Sequence, residues 1–257
     1  IVLVVIISLA AFALSAKVIV DPQWLLAGYQ GRDFTIGQRI MSQGSILIDY
    51  LGNLLLVPGS SPMGLFRDDY VASKTLWEPK HTAISALLWL CILSASVHFR
   101  TRNSVLRALG FGVMFFVCAH LVESSVFALE LYFEHRNYLP AFGVFFALTS
   151  VGLWMRNHVH PHIVATLAVV LVLGCALFTA QRTLVWGNEA SLYAHAARAH
   201  PNSARAWLGL ASVQFAKEQF DAARISLTHA ARIIGPKSFA AIALQEVAAH
   251  CVANRQV

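Results

Sequence analysis

Apolar runs long enough to cross a bilayer dominate this chain and leave little choice of fold. A helix needs roughly 20 consecutive apolar residues to span the hydrocarbon core, with about 17–25 as the working range. Runs 1–16, 82–97, 108–129, 138–155 and 163–180 meet or approach that length. In hydrocarbon a backbone must satisfy its own polar groups, so such runs become helices. Composition agrees. Of 257 residues, 57% are hydrophobic and 12% charged, about half the charged share of a soluble domain. This excludes a soluble globular enzyme and a disordered chain. The expected fold is all-α: a polytopic transmembrane helix bundle over residues 1–187, then a short helical domain over 188–257. Run 1–16 starts at Ile1 with no basic flank, and four more runs follow. It reads as the tail of a span in a longer protein rather than as a signal peptide.

Charge orients the bundle. The net charge of +6 is dispersed without a Lys/Arg block, so nucleic acid is not an expected partner. Loop 98–107 carries Arg100, Arg102 and Arg107 and no acid, and loop 156–162 carries Arg156, His158, His160 and His162. Loop 130–137 carries Glu130, Glu134 and Arg136. The positive-inside rule places the first two loops in the cytoplasm and the third outside. Segment 17–81 and everything after residue 180 are then external. The three histidines match a metal site by count, but the short loop containing Pro161 reads better as a topogenic loop. Cys91, Cys118, Cys175 and Cys251 form no CxxC pair and read as small core residues.

Within the external segment, residues 38–57 have the period of an amphipathic helix. Ser42, Ser45, Asp49 and Asn53 share one face, and Leu47, Leu51, Leu54 and Leu55 another. Such a helix fits the outer membrane interface or a short re-entrant position. Pro58-Gly59-Ser60-Ser61-Pro62 ends it. In the tail, Trp207 set at position 4 of a tetratricopeptide repeat puts Leu210 at 7, Ala211 at 8, Phe220 at 17, Ala223 at 20, Leu227 at 24 and Ala230 at 27. The small residues would let two helices pack closely, with the aromatic and leucine side chains filling between them. Helices over 189–200 and 239–253 would flank this repeat and stack on it.

Chemistry concentrates in His120-Leu121-Val122-Glu123 and the residues that follow. His120, Glu123, Phe127, Glu130 and Glu134 step by three and four, so a continuous helix would carry them on one face. Carboxylates are expensive in a bilayer and usually face a polar cavity or a partner. His135 and Arg136 come next, where cations can hold the phosphate of a lipid carrier. Arg32 and Arg39 offer the same chemistry from the external segment. Asp68-Asp69, within Gly64-Leu65-Phe66-Arg67-Asp68-Asp69-Tyr70, are candidates for a general base, a sugar ligand or a divalent-cation ligand. Glu123 is a further catalytic candidate.

Three passages together resemble a known family. Arg32-Asp33-Phe34-Thr35-Ile36-Gly37-Gln38-Arg39 with Asp49-Tyr50-Leu51, the 64–70 element with Ser73, and Glu134-His135-Arg136-Asn137-Tyr138-Leu139-Pro140 are similar to GT-C-type membrane glycosyltransferases carrying tetratricopeptide repeats. These include the TMTC-type protein O-mannosyltransferases and bacterial homologues related to pilin glycosylation. In the last passage, His135 stands where the family motif has arginine, and Arg136 follows it. The resemblance implies a transferase moving a sugar from a polyprenyl-phosphate donor to an extracytoplasmic acceptor, a protein hydroxyl above all. It implies donor-lipid contacts by Arg136, His135, Glu134, Glu130, Arg32 and Arg39. It implies acceptor binding by the repeats, Trp207 and Phe220 included. It also implies a bacterial inner membrane with a periplasmic tail, and a principal catalytic carboxylate in an earlier external loop. A non-enzymatic repeat scaffold and an O-antigen ligase or polymerase remain the competing readings. A scaffold would not need the acidic residues at the end of a span.

Overall fold

The computed structural model describes residues 21–30, 32–55 and 66–234. All their regular structure is helical: α1 (Pro22–Ala27), α2 (Ile36–Leu55), α3 (His81–Phe99), α4 (Ser104–His120), a 3₁₀ turn (Glu134–Asn137), α5 (Tyr138–His158), α6 (Pro161–Trp186), α7 (Glu189–Ala199), α8 (Ala204–Ala216) and α9 (Phe220–Ile234). The expected span 1–16 and helix 239–253 lie outside the described residues. Among the described residues three helical stretches are long and apolar enough to cross a membrane: His81–Phe99, Glu134–His158 and Pro161–Trp186. The chain is a helical membrane protein. The described residues divide into two compact units, one holding 21–30, 32–54 and Val71–His158, the other holding Leu55, 66–70 and 159–234.

In the first unit, α4 packs on both α3 and α5. Asn103 caps α4, its side-chain oxygen accepting the Leu106 N–H at 3.0 Å. Small residues set the crossings. A Cβ on Gly110 would lie 2.7 Å from the Ser96 carbonyl, and one on Gly143 would lie 2.5 Å from that of Gly112. Backbones meet here because no side chain separates them, the usual way helices associate without a hydrophobic driving force.

The helix expected over the third span, 108–129, is shorter than that run. It ends at His120, and residues 121–133 turn without regular structure. The cause is competition. Side chains of α2 capture the carbonyls of this segment, and those bonds replace helical ones. The cysteines are corrected too: Cys91, Cys118 and Cys175 lie on exposed surfaces. For a membrane helix the outward face is the apolar one, so a small apolar residue fits there as well as in a core.

In the second unit, α6 is apolar from Ile163 to Ala180 and none of its residues is buried by protein. A helix apolar on every side needs an apolar medium around it, and lipid supplies it. The α7, α8 and α9 helices pack in sequence. Asn188 and Ser203 cap α7 and α8 through the Ser191 and Ala206 N–H groups, both at 3.1 Å. Ala211, Ala223 and Ala230, the small positions read from the sequence, are each 0% exposed. Trp207 stacks on His229 at 4.3 Å and donates to the Pro201 carbonyl at 2.9 Å. Phe220, expected between the helices, is 62% exposed and meets only the edge of the hairpin through Phe215 at 6.1 Å.

The turn from α8 to α9 is a Schellman motif. Gln219 N–H bonds the Gln214 carbonyl and Glu218 N–H the Phe215 carbonyl, both at 2.9 Å. This geometry forces Glu218 to φ 58°, a region glycine enters without a Cβ penalty. Glu218→Gly is therefore expected to stabilise the tail by about 1 kcal/mol. A chemical-denaturation midpoint at or below the parent's would show that the Glu218 side chain contributes more than its backbone costs.

Candidate functional site

The site is built outward from α2. Its start is a reciprocal capping box: Thr35 N–H donates to Gln38 Oε1 at 2.9 Å, and Gln38 N–H to Thr35 Oγ1 at 3.3 Å. This fixes where the helix begins and hence which residues face inward. Arg39, Ser42, Gln43, Ser45, Ile46 and Tyr50 are all buried, whereas Ile40 and Leu55 are about half exposed. The helix thus turns its polar side toward protein. Ser42 and Ser45 follow the sequence reading of that side, and Asp49 is exposed instead.

Arg39 is the centre, at 0% exposure. Its Nε donates to the Ser125 carbonyl at 2.9 Å. Nη1 reaches the carbonyls of Leu129 at 2.5 Å and Glu130 at 3.2 Å, and Nη2 that of Glu123 at 2.6 Å. Burial pushes Arg39 down to about 10, so it stays charged at neutral pH. Further along α2, Gln43 donates to the Leu131 carbonyl at 3.4 Å. Tyr50 hydroxyl donates to the Phe133 carbonyl at 2.9 Å and accepts its N–H at 2.8 Å. Burial pushes the Tyr50 phenol up to about 12, which keeps that donor protonated. Asn137 closes the frame by donating to the Tyr50 carbonyl at 3.0 Å. A segment that has lost its helical bonds has therefore regained partners from one neighbouring helix.

Arg136 completes the arrangement from the other side. It donates to the Glu130 carbonyl at 2.6 Å, pairs with Glu123 at 3.5 Å, and has a side chain 9% exposed. Two guanidinium groups thus share one carbonyl, that of Glu130. The expected single-face stripe is corrected. Only His120 is helical, and it packs between Tyr50 at 5.3 Å and Phe116 at 4.8 Å. Glu123, Phe127 and Glu130 lie in the irregular segment and Glu134 opens the 3₁₀ turn. Arg39, expected to contact a lipid phosphate, gives four of its five N–H donors to backbone carbonyls. Arg136 is largely committed in the same way, while His135 is exposed.

A cavity of about 460 Å³ opens beside the start of α2, lined by Leu26, Tyr29, Arg32, Asp33, Phe34, Thr35, Ile36 and Gln38. Tyr29 donates to the Val126 carbonyl at 2.6 Å, tying this wall to the irregular segment. Arg32 is exposed and close enough to Arg39 to act on it electrostatically. The sequence had singled out Arg32, but not Tyr29, Gln43 or Asn137. The 39, 43, 50 spacing of large polar residues along one helical face was the available signal for Gln43 and Tyr50.

In the second unit, Asp68 and Asp69 face the tail. Ser203 Oγ donates to Asp68 Oδ1, and His200 Nδ1 lies 3.1 Å from Asp69 Oδ1. Among the described residues no group of three His, Cys, Asp or Glu side chains is arranged to hold a metal ion. His158 bonds its own helix at the Trp154 carbonyl, 2.8 Å away, and His160 stacks on His162 at 5.2 Å. No family model, curated protein or solved structure matches this chain.

Proposed function

We propose that this protein belongs to a membrane glycosyltransferase that takes a sugar from a polyprenyl-phosphate-linked donor and passes it to an extracytoplasmic acceptor, a protein hydroxyl. The observation carrying this reading is the cavity around Arg32. It combines an exposed guanidinium, a phenol and the start of a twenty-residue helix. A phosphate accepts bidentate bonds from arginine and is favoured near a helix N-terminus. Asp33 on the same wall offers a carboxylate for sugar hydroxyls. Arg39 and Arg136 hold the backbone behind that wall, and their charge adds to the attraction for an anion. Asp68, Asp69 and Glu123 take no catalytic role in this reading, because each is already engaged by a neighbour. The α8–α9 hairpin, with its three buried alanines, supports the tetratricopeptide reading of the tail and its role toward a protein acceptor.

Arg32→Ala is expected to weaken binding of a polyprenyl-phosphate sugar by roughly 10–100-fold, the scale of a charge-assisted hydrogen bond of about 1.5–3 kcal/mol. Arg32→Lys recovers only part, since the planar fork is lost. The measurement is equilibrium binding of labelled donor to the purified full chain after its melting temperature has been checked. A normally folded Arg32→Ala protein that binds donor like the parent sinks the assignment. A parent that binds no donor at all would favour the scaffold reading.

A parity argument extends the proposal to topology. Residues 68 and 69 touch residues 203 and 200, so both stretches lie on one side of the membrane. An even number of crossings must then separate them. The three long apolar stretches make an odd number, and we take Ser104–His120 as the fourth crossing that makes it even. At about 1.5 Å per residue its seventeen residues reach about 25 Å, short of the roughly 30 Å core. The irregular segment after it completes the distance. Non-helical backbone is tolerated at that depth only when protein satisfies it, as Arg39, Gln43 and Tyr50 do. In a chain whose native cysteines are replaced by serine, Val71→Cys and Asn202→Cys should label from one side and Asn103→Cys from the other. Labelling of Asn103→Cys and Asn202→Cys from the same side would remove the fourth crossing.

A further inference from the structure

Residues 66–70 have no helix or strand of their own, yet they make side-chain contacts of three kinds with the α7–α8 junction. Phe66 packs against Ala196, Ala197 and Ala206, which are almost fully buried. Its ring lies 6.5 Å from that of Tyr193, and the Arg205 guanidinium sits 4.8 Å above it. Asp68 accepts from Ser203 Oγ, the same oxygen that caps α8. Asp69 places its two carboxylate oxygens 3.1 and 3.2 Å from His200 Nδ1. His200 is 3% exposed and Ser203 0%. Within the segment, Tyr70 N–H bonds the Arg67 carbonyl at 3.3 Å. It docks as a short linear peptide would, with an aromatic anchor followed at the second and third positions by carboxylates.

We propose that the α7–α8 junction is a peptide-binding site for an aromatic-x-Asp-Asp motif, and that residues 66–70 are its built-in occupant, displaced when a partner protein presents the same motif. The site has a slot between small residues and a cation for the aromatic ring, a hydroxyl at a helix start for the first carboxylate, and an imidazole for the second. Each half of the motif therefore has its own determinant. Because it belongs to the same chain, the internal segment competes as an intramolecular ligand. A seat of modest intrinsic affinity thus stays filled without being locked, and a partner with a better aromatic or a further acidic residue competes on contacts alone. The inference does not depend on sugar transfer, because its readout is binding.

The test uses a fluorescent peptide of sequence Gly-Leu-Phe-Arg-Asp-Asp-Tyr-Val-Ala, a scrambled control, and the purified full chain in detergent. In the Phe66→Ala/Asp68→Ala/Asp69→Ala variant the seat is vacated. The peptide is expected to bind it at least tenfold more tightly than the parent, by anisotropy, while the scrambled peptide does not discriminate. Adding His200→Ala and Ser203→Ala to the vacated chain should remove that gain. Should the triple variant lose its fold by circular dichroism, Asp68→Asn/Asp69→Asn keeps Phe66 in its cluster and is measured in the same way, with a smaller gain expected. Absence of binding to the folded vacated chain, equal binding of both peptides, or binding indifferent to His200 and Ser203 overturns the proposal. Any of these would show that the contact is held by the chain's connectivity rather than by recognition.

Discussion

Arg39→Met is expected to destabilise the membrane bundle by at least about 3 kcal/mol, because each buried acceptor left without a donor costs about 1–3 kcal/mol and the Ser125, Leu129 and Glu123 carbonyls lose theirs together, while that of Glu130 keeps Arg136. Methionine keeps much of the volume, so the loss reports hydrogen bonding rather than packing. Arg39→Lys should restore little of it, since a single ammonium cannot reach carbonyls spread from Glu123 to Glu130. The check is thermal unfolding in detergent, with proteolysis of residues 121–133 as a local probe. If the methionine variant melts with the parent and this segment stays protected, the carbonyls have found other donors and Arg39 does not organise the site.

Gly143→Val is the second large effect, expected at about 3 kcal/mol, the upper part of the range for overpacking a tight core. The new Cβ would stand 2.5 Å from the Gly112 carbonyl and 3.1 Å from Phe115 Cβ. A backbone carbonyl has no alternative rotamer, so α4 and α5 must separate along their contact. Gly152→Ala, on the same α5 helix with no heavy atom within 4 Å of its would-be Cβ, should instead leave stability unchanged or raise it by up to about 1 kcal/mol through helix propensity. Equal melting temperatures for the two variants would mean that the crossing yields easily.

These two positions also mark how far the sequence could be read. The α3, α5 and α6 helices were legible because length and apolarity suffice to make a membrane helix, whatever lies beside it. The end of α4 was not. The three-and-four spacing runs on past His120, and what stops the helix is Arg39, more than eighty residues earlier in the chain. Arg39 itself looked like a free cation because its partners are carbonyls, which every residue carries and no sequence distinguishes. Arg32 kept its expected exposure since nothing nearby claims it in that way. In the tail, Ala211, Ala223 and Ala230 were legible from their spacing. Phe220 was misjudged because it begins α9, where the chain has only just left the turn. Asp68 and Asp69 were recognised as unusual, but their counterparts are too distant in sequence for any local pattern to reveal them.

That distance carries a consequence for how the protein is made. Asp69 meets a residue 131 positions later, and Asp68 one 135 positions later. At about 5–20 residues per second, the ribosome needs roughly 7–27 seconds to produce those counterparts after the acidic pair has emerged. Until α7 and α8 are made, Phe66 lacks its Ala196, Ala197 and Ala206 neighbours, while the helices from α3 to α6 are still being synthesised. The nascent chain therefore presents an aromatic-acidic segment to its surroundings during biogenesis, and only the arrival of α8 withdraws it. A chain cut short before Ser203 would keep Asp68 without that partner.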